Sequence, residues 1–343
     1  MYISEVAIKV IQFIEVVRAI ATMLIANSHF KGVYPTDLIS FGGGFGLALF
    51  YMISGFLLAN IKPNAKLTSW YTKKVVRLYI PLVILKLLEI FIGYLKIETV
   101  GQFFREFVFP ASWFGASMLI LYLVYYWIVK LLYAKKGMSS ILIVDILGAI
   151  SFLIMFVTKS KVGMFSLETL QIADLFGIET PYIISLPIWL TSMLVGFQLR
   201  KRYDSLKTKK NRQKKWLYIG GIFIFMLAFF VVKLFEKRGA ETVLMISLPV
   251  IYIGFAYCVF CFLRELEEKV QKFPDNNLKQ LVFLVSSCSL EIYYIQFPWI
   301  HLFRNYVFPL NWILIVSITV VSGYVLHRIS NIVFDMFMRK VGK

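Results

Sequence analysis

The chain has 343 residues, of which 59% are hydrophobic and 16% charged, with a mean hydropathy of +0.75 and a formal net charge of +18. An ordinary soluble domain is about 45–50% apolar and about 25% charged, so these residues cannot cover their own apolar surface with charge, and the excess must face lipid. Basic residues gather in the cytoplasmic loops of membrane proteins, and no DNA- or RNA-binding motif accompanies them here, which excludes a nucleic-acid partner.

Long apolar runs give about ten candidate spans, at roughly 20 residues each. They fall near 8–29, 42–61, 77–97, 113–134, 139–158, 181–199, 216–235, 242–263, 280–301 and 311–334. The expectation is an all-α, polytopic membrane helix bundle forming a single domain over 1–343, because no linker is long or polar enough for a separate soluble unit. The N-terminus shows neither a basic n-region nor a small-residue cleavage site, so the first span is expected to be retained. With alternate loops assigned to opposite sides, 25 of the 37 Lys and Arg fall on one side and 8 on the other. The positive-inside rule makes the richer side cytoplasmic and puts both termini there, in a plasma or inner membrane.

Ionisable groups within spans are costly and mark functional candidates. Glu15, Arg18 and His29 share the first span. Arg18 and His29 are eleven residues apart, three helical turns to within about 20°, and so lie on one face. Glu15 stands one turn below Arg18 and Thr22 one turn above, which permits an ion pair and a polar stripe. The spacing alone is equally compatible with a structural pair and with a lined cavity.

Next comes Gly42-Gly43-Gly44-Phe45-Gly46, leading to Ser54-Gly55-Phe56. The glycines permit close approach of a backbone or a ligand, but the Gly-Lys-Ser/Thr ending of a P-loop is absent. Lys73, Lys74 and Arg77 stand at the expected inner mouth of the third span, before Pro81, where Lys74 and Arg77 project together if helical. Such a pair can hold phosphates or can be ordinary positive-inside charge. Lys86 and Glu89 are spaced for an i,i+3 packing pair.

Late in the chain, Ser289-Leu290-Glu291-Ile292-Tyr293 places a carboxylate inside the ninth span, followed by Gln296. His301 and His327 fall in no motif, and their replacement is expected to leave most activity intact. Cys258 and Cys261 form a C-x-x-C within an apolar run without a second ligand pair, the pattern of packing residues and not of a metal site. An odd total of 3 cysteines argues against a disulfide framework.

Taken together, these pieces resemble the membrane-bound acyltransferase 3 family, which O-acylates carbohydrates. The Arg18-to-His29 spacing, the glycine-rich turn into Ser54-Gly55-Phe56, the basic element Lys74-Val75-Val76-Arg77 before Pro81, and Ser289-Leu290-Glu291-Ile292-Tyr293 occur in the family's order over nearly the whole chain. Trp113-Phe114 adds lesser support. Lys74 departs from the family's usual Arg, and Gln296 stands where many members have His.

The resemblance implies an acyl-CoA co-substrate, most often acetyl-CoA, with phosphates near Lys74 and Arg77 and with Lys73 beside them. It implies as acceptor a glycan, lipid-linked or a surface polysaccharide of the cell envelope. His29 would act as general base, Arg18 would orient polar groups or stabilise the oxyanion, and Glu15 would hold Arg18. Ser54, Glu291 and Gln296 would line the cavity. Membrane lipid is the other partner, and a homo-oligomer is compatible with the sequence. The rival reading is a transporter or exporter of a glycan or small anion, which intramembrane charges suit equally well.

Overall fold

The computed structural model describes residues 12–61, 64–103, 106–107, 113–134, 146–150, 153, 180–207, 212–236 and 247–341. Regular structure among them is entirely helical. Helix α1 spans Gln12–Ser28, α2 Gly43–Leu58, α3 Leu67–Phe91, the short α4 Val100–Phe103, α5 Trp113–Ala134, α6 Thr180–Lys207 and α7 Arg212–Glu236. After these come α8 Leu248–Glu265, the short α9 Glu267–Gln271, α10 Asn277–Ser287, α11 Ser289–Phe303 and α12 Leu310–Val341.

Four segments are long and apolar enough to cross a membrane, Phe114–Leu132, Lys214–Phe235, Leu248–Glu265 and Leu310–Arg339, and the bent pair α10–α11 makes a fifth. Among the described residues, α2 has 16 residues and α3 carries Lys73, Lys74, Arg77, Lys86 and Glu89, while α1 is described only from Gln12 onward. The predicted span 139–158 lies outside the described residues apart from residues 146–150 and 153, as do residues 8–11 of the first span and 242–246 of the eighth.

Two boundaries correct the sequence reading. The third helix begins at Leu67, ten residues before the expected mouth, so Lys73, Lys74 and Arg77 sit on a continuous helix together with Pro81. Pro81 has no N–H to give the Arg77 carbonyl, yet its fixed φ suits a helix and α3 runs through it.

The expected single span at 280–301 is broken at Cys288, where α10 and α11 meet at 84°. The cause is local. Ser286, Ser287 and Ser289 flank the break, and serine hydroxyls compete with the helical hydrogen-bond ladder. Ser287 Oγ donates to the Leu284 carbonyl at 2.9 Å, and Ser286 turns its hydroxyl away to another helix.

Helix α1 is central. It packs against α2, α8, α9, α10 and α11, while α2 also meets α6 and α8, and α3 lies against α5, α11 and α12. Between helices in lipid there is little hydrophobic drive, so close packing has to hold them together. The glycines provide it. A Cβ on Gly55 would collide with the Met193 carbonyl and one on Gly196 with the Met52 carbonyl, a reciprocal crossing of α2 and α6. A Cβ on Gly46 would come within 2.6 Å of the Ala21 carbonyl of α1. The packing reading of these glycines therefore holds. Tyr125 seals the same region by donating to the Gly55 carbonyl at 2.6 Å, and Phe13, Val17, Tyr51, Met52, Met193 and Phe260 fill the core around it.

Cys258, Cys261 and Cys288 are free and buried, as packing residues should be. Lys86 meets Glu89 at 2.9 Å, the i,i+3 pair expected, and also Glu106 at 3.0 Å.

Gly196→Ala should destabilise the detergent-solubilised protein by about 1–3 kcal/mol, the usual cost of overpacking. Gly220→Ala should be neutral or stabilising by up to about 1 kcal/mol, because nothing lies within 4 Å of its Cβ position. Thermal unfolding of both variants checks this. Equal melting temperatures would contradict the close crossing.

Candidate active site

The polar stripe on α1 exists. Arg18 pairs with Glu15, its Nη1 lying 3.0 Å and 3.3 Å from the two carboxylate oxygens. Ser286, at the end of α10, donates its hydroxyl to the same carboxylate. Thr22 Oγ1 donates to the Arg18 carbonyl at 2.9 Å. Glu15 thus sits behind Arg18 and holds it, while the guanidinium turns toward open space.

That space is a cavity of about 260 Å³ between α1, α2, α3, α5 and the α10–α11 break. Arg18, Ser54, Lys74, Arg77 and Glu291 all line it, with Phe50, Tyr122 and Ser289 among their neighbours. Five residues singled out from four separate stretches of sequence therefore share one wall. The break at Cys288 matters here, because it swings Ser286, Ser287, Ser289 and Glu291 to the cavity surface.

Three cations face this space against one carboxylate. Arg18 is neutralised by Glu15. Lys74 and Arg77 make no ion pair among the described residues. Lys74 Nζ instead stands 5.9 Å from the ring centres of both Trp70 and Tyr122, and the Arg77 guanidinium lies 5.6 Å from that of Phe334. Cations held by rings and amides, and not by carboxylates, leave their charge available to an incoming anion.

Phe50 and Ser289 also line a separate small cavity of about 10 Å³, with Thr22, Ile25, Ala26, Phe114, Ile292 and Tyr293, which forms a neck next to the larger one. This is at the lower limit for a single water. Phe114 meets Phe50 at 5.2 Å and Tyr293 at 4.9 Å between ring centres, so three rings close it.

His29 lies past them. Its ring packs edge-on against Tyr293 at 6.1 Å and Phe297 at 4.9 Å. No hydrogen bond to its imidazole nitrogens comes from the described residues. The helix ends there because Ser28 Oγ takes up the Ile25 carbonyl at 2.7 Å and the last turn tightens, His29 N reaching the Ala26 carbonyl. Asn27 then anchors the following loop, its Nδ2 donating to the Ile39 and Phe41 carbonyls and its Oδ1 accepting from Tyr34.

Four residues from the sequence reading stand apart from the cavity wall, Glu15 among them, since it lies behind Arg18. Lys73 is exposed on α3. His29 is separated from the main cavity by the neck. Gln296 is fully buried, with its Nε2 donating to the Tyr293 carbonyl of its own helix at 3.1 Å, and does not line the space as expected. α11 turns it inward because Glu291, five residues earlier, already takes the cavity-facing position.

One correction goes the other way. His327, read as uninvolved, holds Glu291: its Nδ1 is 3.0 Å from Glu291 Oε1. Its Nε2 is 2.9 Å from Asn331 Nδ2, and Asn331 Oδ1 accepts from Arg77 at 2.6 Å. The His327–Asn331 spacing is i,i+4 on one helix, but the contacts to Glu291 and Arg77 join positions 36 and 254 residues apart, which no motif carries.

Among the described residues, membrane-length helices and a cation-lined cavity define a helical membrane protein. The model of the acyltransferase 3 family, described as an acyltransferase domain, matches residues 11–327, nearly the whole chain. The chain belongs to that family and is a membrane acyltransferase. No curated protein and no solved structure matches it.

Arg18→Ala should lower the yield of folded protein, because it leaves the Glu15 carboxylate in the helix bundle with only the Ser286 hydroxyl; breaking a buried pair costs about 3–5 kcal/mol. The Arg18→Ala/Glu15→Ala double variant should recover much of that yield. Size-exclusion of both in detergent decides it, and a double variant folding worse than the single would refute the pairing.

Proposed function

We propose that the protein transfers an acyl group, most simply acetyl, from cytoplasmic acyl-CoA to a hydroxyl of an envelope glycan on the far side of the membrane. The observation that carries this reading is the succession along α1 of a cationic cavity, an aromatic neck and a histidine whose imidazole receives no hydrogen bond from the described residues. In this reading Lys74 and Arg77 hold the phosphates of the donor, Arg as a fork and Lys as a point charge. The thioester enters the neck, and His29 takes the proton from the acceptor hydroxyl as that oxygen attacks the thioester carbonyl; the C–S bond breaks, and the CoA thiolate leaves, protonated by the imidazolium. Arg18 lines the cavity before the neck and is suited to orient polar groups of the donor there. About 16 Å of helix separate Arg18 from His29, so the donor must be long and thin.

The proposed topology has about ten crossings with both termini cytoplasmic, in a plasma or inner membrane. It is supported by the division of basic residues, 25 against 8, and by the grouping of Arg18, Lys74 and Arg77 on one cavity.

His29→Ala should abolish transfer by about 10²–10⁴-fold while donor binding persists. Charge reversal at Lys74 and Arg77 should abolish donor binding while the protein still folds. Labelled acetyl-CoA supplied to membrane vesicles measures both. Wild-type turnover in His29→Ala refutes the base assignment, and glycan flux without any labelling would make the protein a carrier.

Phe50→Ala should relax acyl selectivity, because the ring closes a neck of about 10 Å³. The ratio of butyryl to acetyl transfer is expected to rise by roughly 10-fold or more, the scale on which a pocket discriminates methylenes. An unchanged ratio would show that the neck does not measure the chain.

A further inference from the structure

Arg77, Asn331, His327 and Glu291 form one continuous hydrogen-bonded chain across α3, α12 and α11. Its polarity can be worked out bond by bond. The Glu291 carboxylate only accepts, so His327 Nδ1 must carry a proton and donate it. The Asn331 amide presents Nδ2 to His327 and Oδ1 to Arg77. Since Nδ2 only donates, His327 Nε2 must be the acceptor, and the ring is therefore neutral with its proton on Nδ1. Asn331 Oδ1 then accepts from the Arg77 guanidinium. Every bond donates in the same direction, from the cation to the carboxylate, and no link can be reversed without setting donor against donor. Chains polarised this way strengthen each link.

The placement is as specific as the polarity. His327, Asn331 and Phe334 recur at i, i+4 and i+7 on α12, one face of the helix. That face meets α3, where Phe334 lies against the Arg77 guanidinium at 5.6 Å. Glu291, at the other end, is 2% exposed and lines the cavity with Arg77. A carboxylate left loose there would compete with an anionic substrate for the cations opposite. Tied to His327, it is held at the end of a chain whose other end is Arg77.

We propose that His327 is a positioning residue for donor binding: as the neutral Nδ1–H tautomer it links Glu291 to Asn331, so that the Arg77 fork is pre-aligned for phosphate and the carboxylate is kept off it. The inference rests on the reading of Arg77 as a donor-phosphate ligand. It assigns a role to three residues, His327, Asn331 and Glu291, through one chain of contacts.

The test measures KM for acetyl-CoA and kcat in vesicles for His327→Leu, His327→Gln, Asn331→Leu, Arg77→Ala and the Arg77→Ala/His327→Leu double variant. His327→Leu severs the chain and should raise the donor KM about tenfold, the factor for one charge-assisted hydrogen bond, with kcat lowered far less. His327→Gln offers one donor and one acceptor in the same order and should bring KM most of the way back, which a merely space-filling role would not require. Asn331→Leu cuts the chain on the other side of the ring and leaves the His327–Glu291 pair in place, so it should reproduce the KM effect even where His327→Leu folds poorly.

In the Arg77→Ala background, His327→Leu should add little, since the fork it aligns is gone. A raised KM in Arg77→Ala with wild-type KM in both Leu variants, or a fully additive double variant, overturns the positioning role alone. A wild-type KM in Arg77→Ala overturns the donor site and the positioning role together.

Discussion

A charge drawn into a helix bundle must find a partner, and the pairing of Arg18 with Glu15 organises much of what surrounds it. An unpaired Arg or Asp at a helix centre costs about 2.5–3.5 kcal/mol on insertion scales. Here the pair lies within one turn of α1, and its carboxylate also accepts from Ser286. That hydroxyl is two residues before the break at Cys288, so the pair joins the central helix to the point where α10 gives way to α11. The position of Ser289 and Glu291 relative to Arg18 follows from that joint. Removing the charge would therefore disturb the cavity on both sides, even though Glu15 itself does not line it.

The parts legible in the sequence are those that a helical period carries. Glu15, Arg18, Thr22 and His29 share a face because 3.6 residues per turn puts them there, whatever the neighbours do. The i,i+3 pair of Lys86 and Glu89 is visible for the same reason. The break at Cys288 was not legible: a run of Val, Ser and Cys is apolar enough to pass as one span, and what breaks it is the choice of the serine hydroxyls between their own carbonyls and Glu15. The early start of α3 was missed because basic residues mark a loop in hydropathy but cost a helix nothing. His327 was invisible because its partners are Glu291, 36 residues away, and through Asn331 the still more distant Arg77. No local pattern encodes a contact of that kind, and only the packing of α12 against α3 and α11 creates it.

The neck imposes a second constraint. Phe50, Phe114 and Tyr293 come from three different helices, and their rings leave about 10 Å³ between the charged cavity and His29. A polar passage of the same width would fill with water and lead protons and hydroxide to any thioester placed there. A ring of aromatics leaves room there for at most a single water until something displaces it. Tyr293 packs on both sides of the constriction, against Phe114 below and His29 above. Opening the neck would therefore move the ring against which the imidazole rests, coupling entry of a substrate to the orientation of the base.

The two histidines invite opposite errors. His327 has what a general base in many hydrolases has, a carboxylate on Nδ1 that fixes its tautomer, and it stands next to a cavity. Its Nε2, however, is already engaged by Asn331 at 2.9 Å, so no lone pair remains for a substrate hydroxyl unless the chain to Arg77 is broken. His29 has no such carboxylate, and its ring is held only by Tyr293 and Phe297. Among the described residues, ring packing positions it and no hydrogen bond engages either nitrogen. A base that must take a proton from one molecule and release it afterwards needs a free nitrogen more than it needs a fixed tautomer. On that ground the proposed proton-transfer role falls to His29, which no described residue hydrogen-bonds, and the proposed positioning role to His327, which the carboxylate and Asn331 already engage.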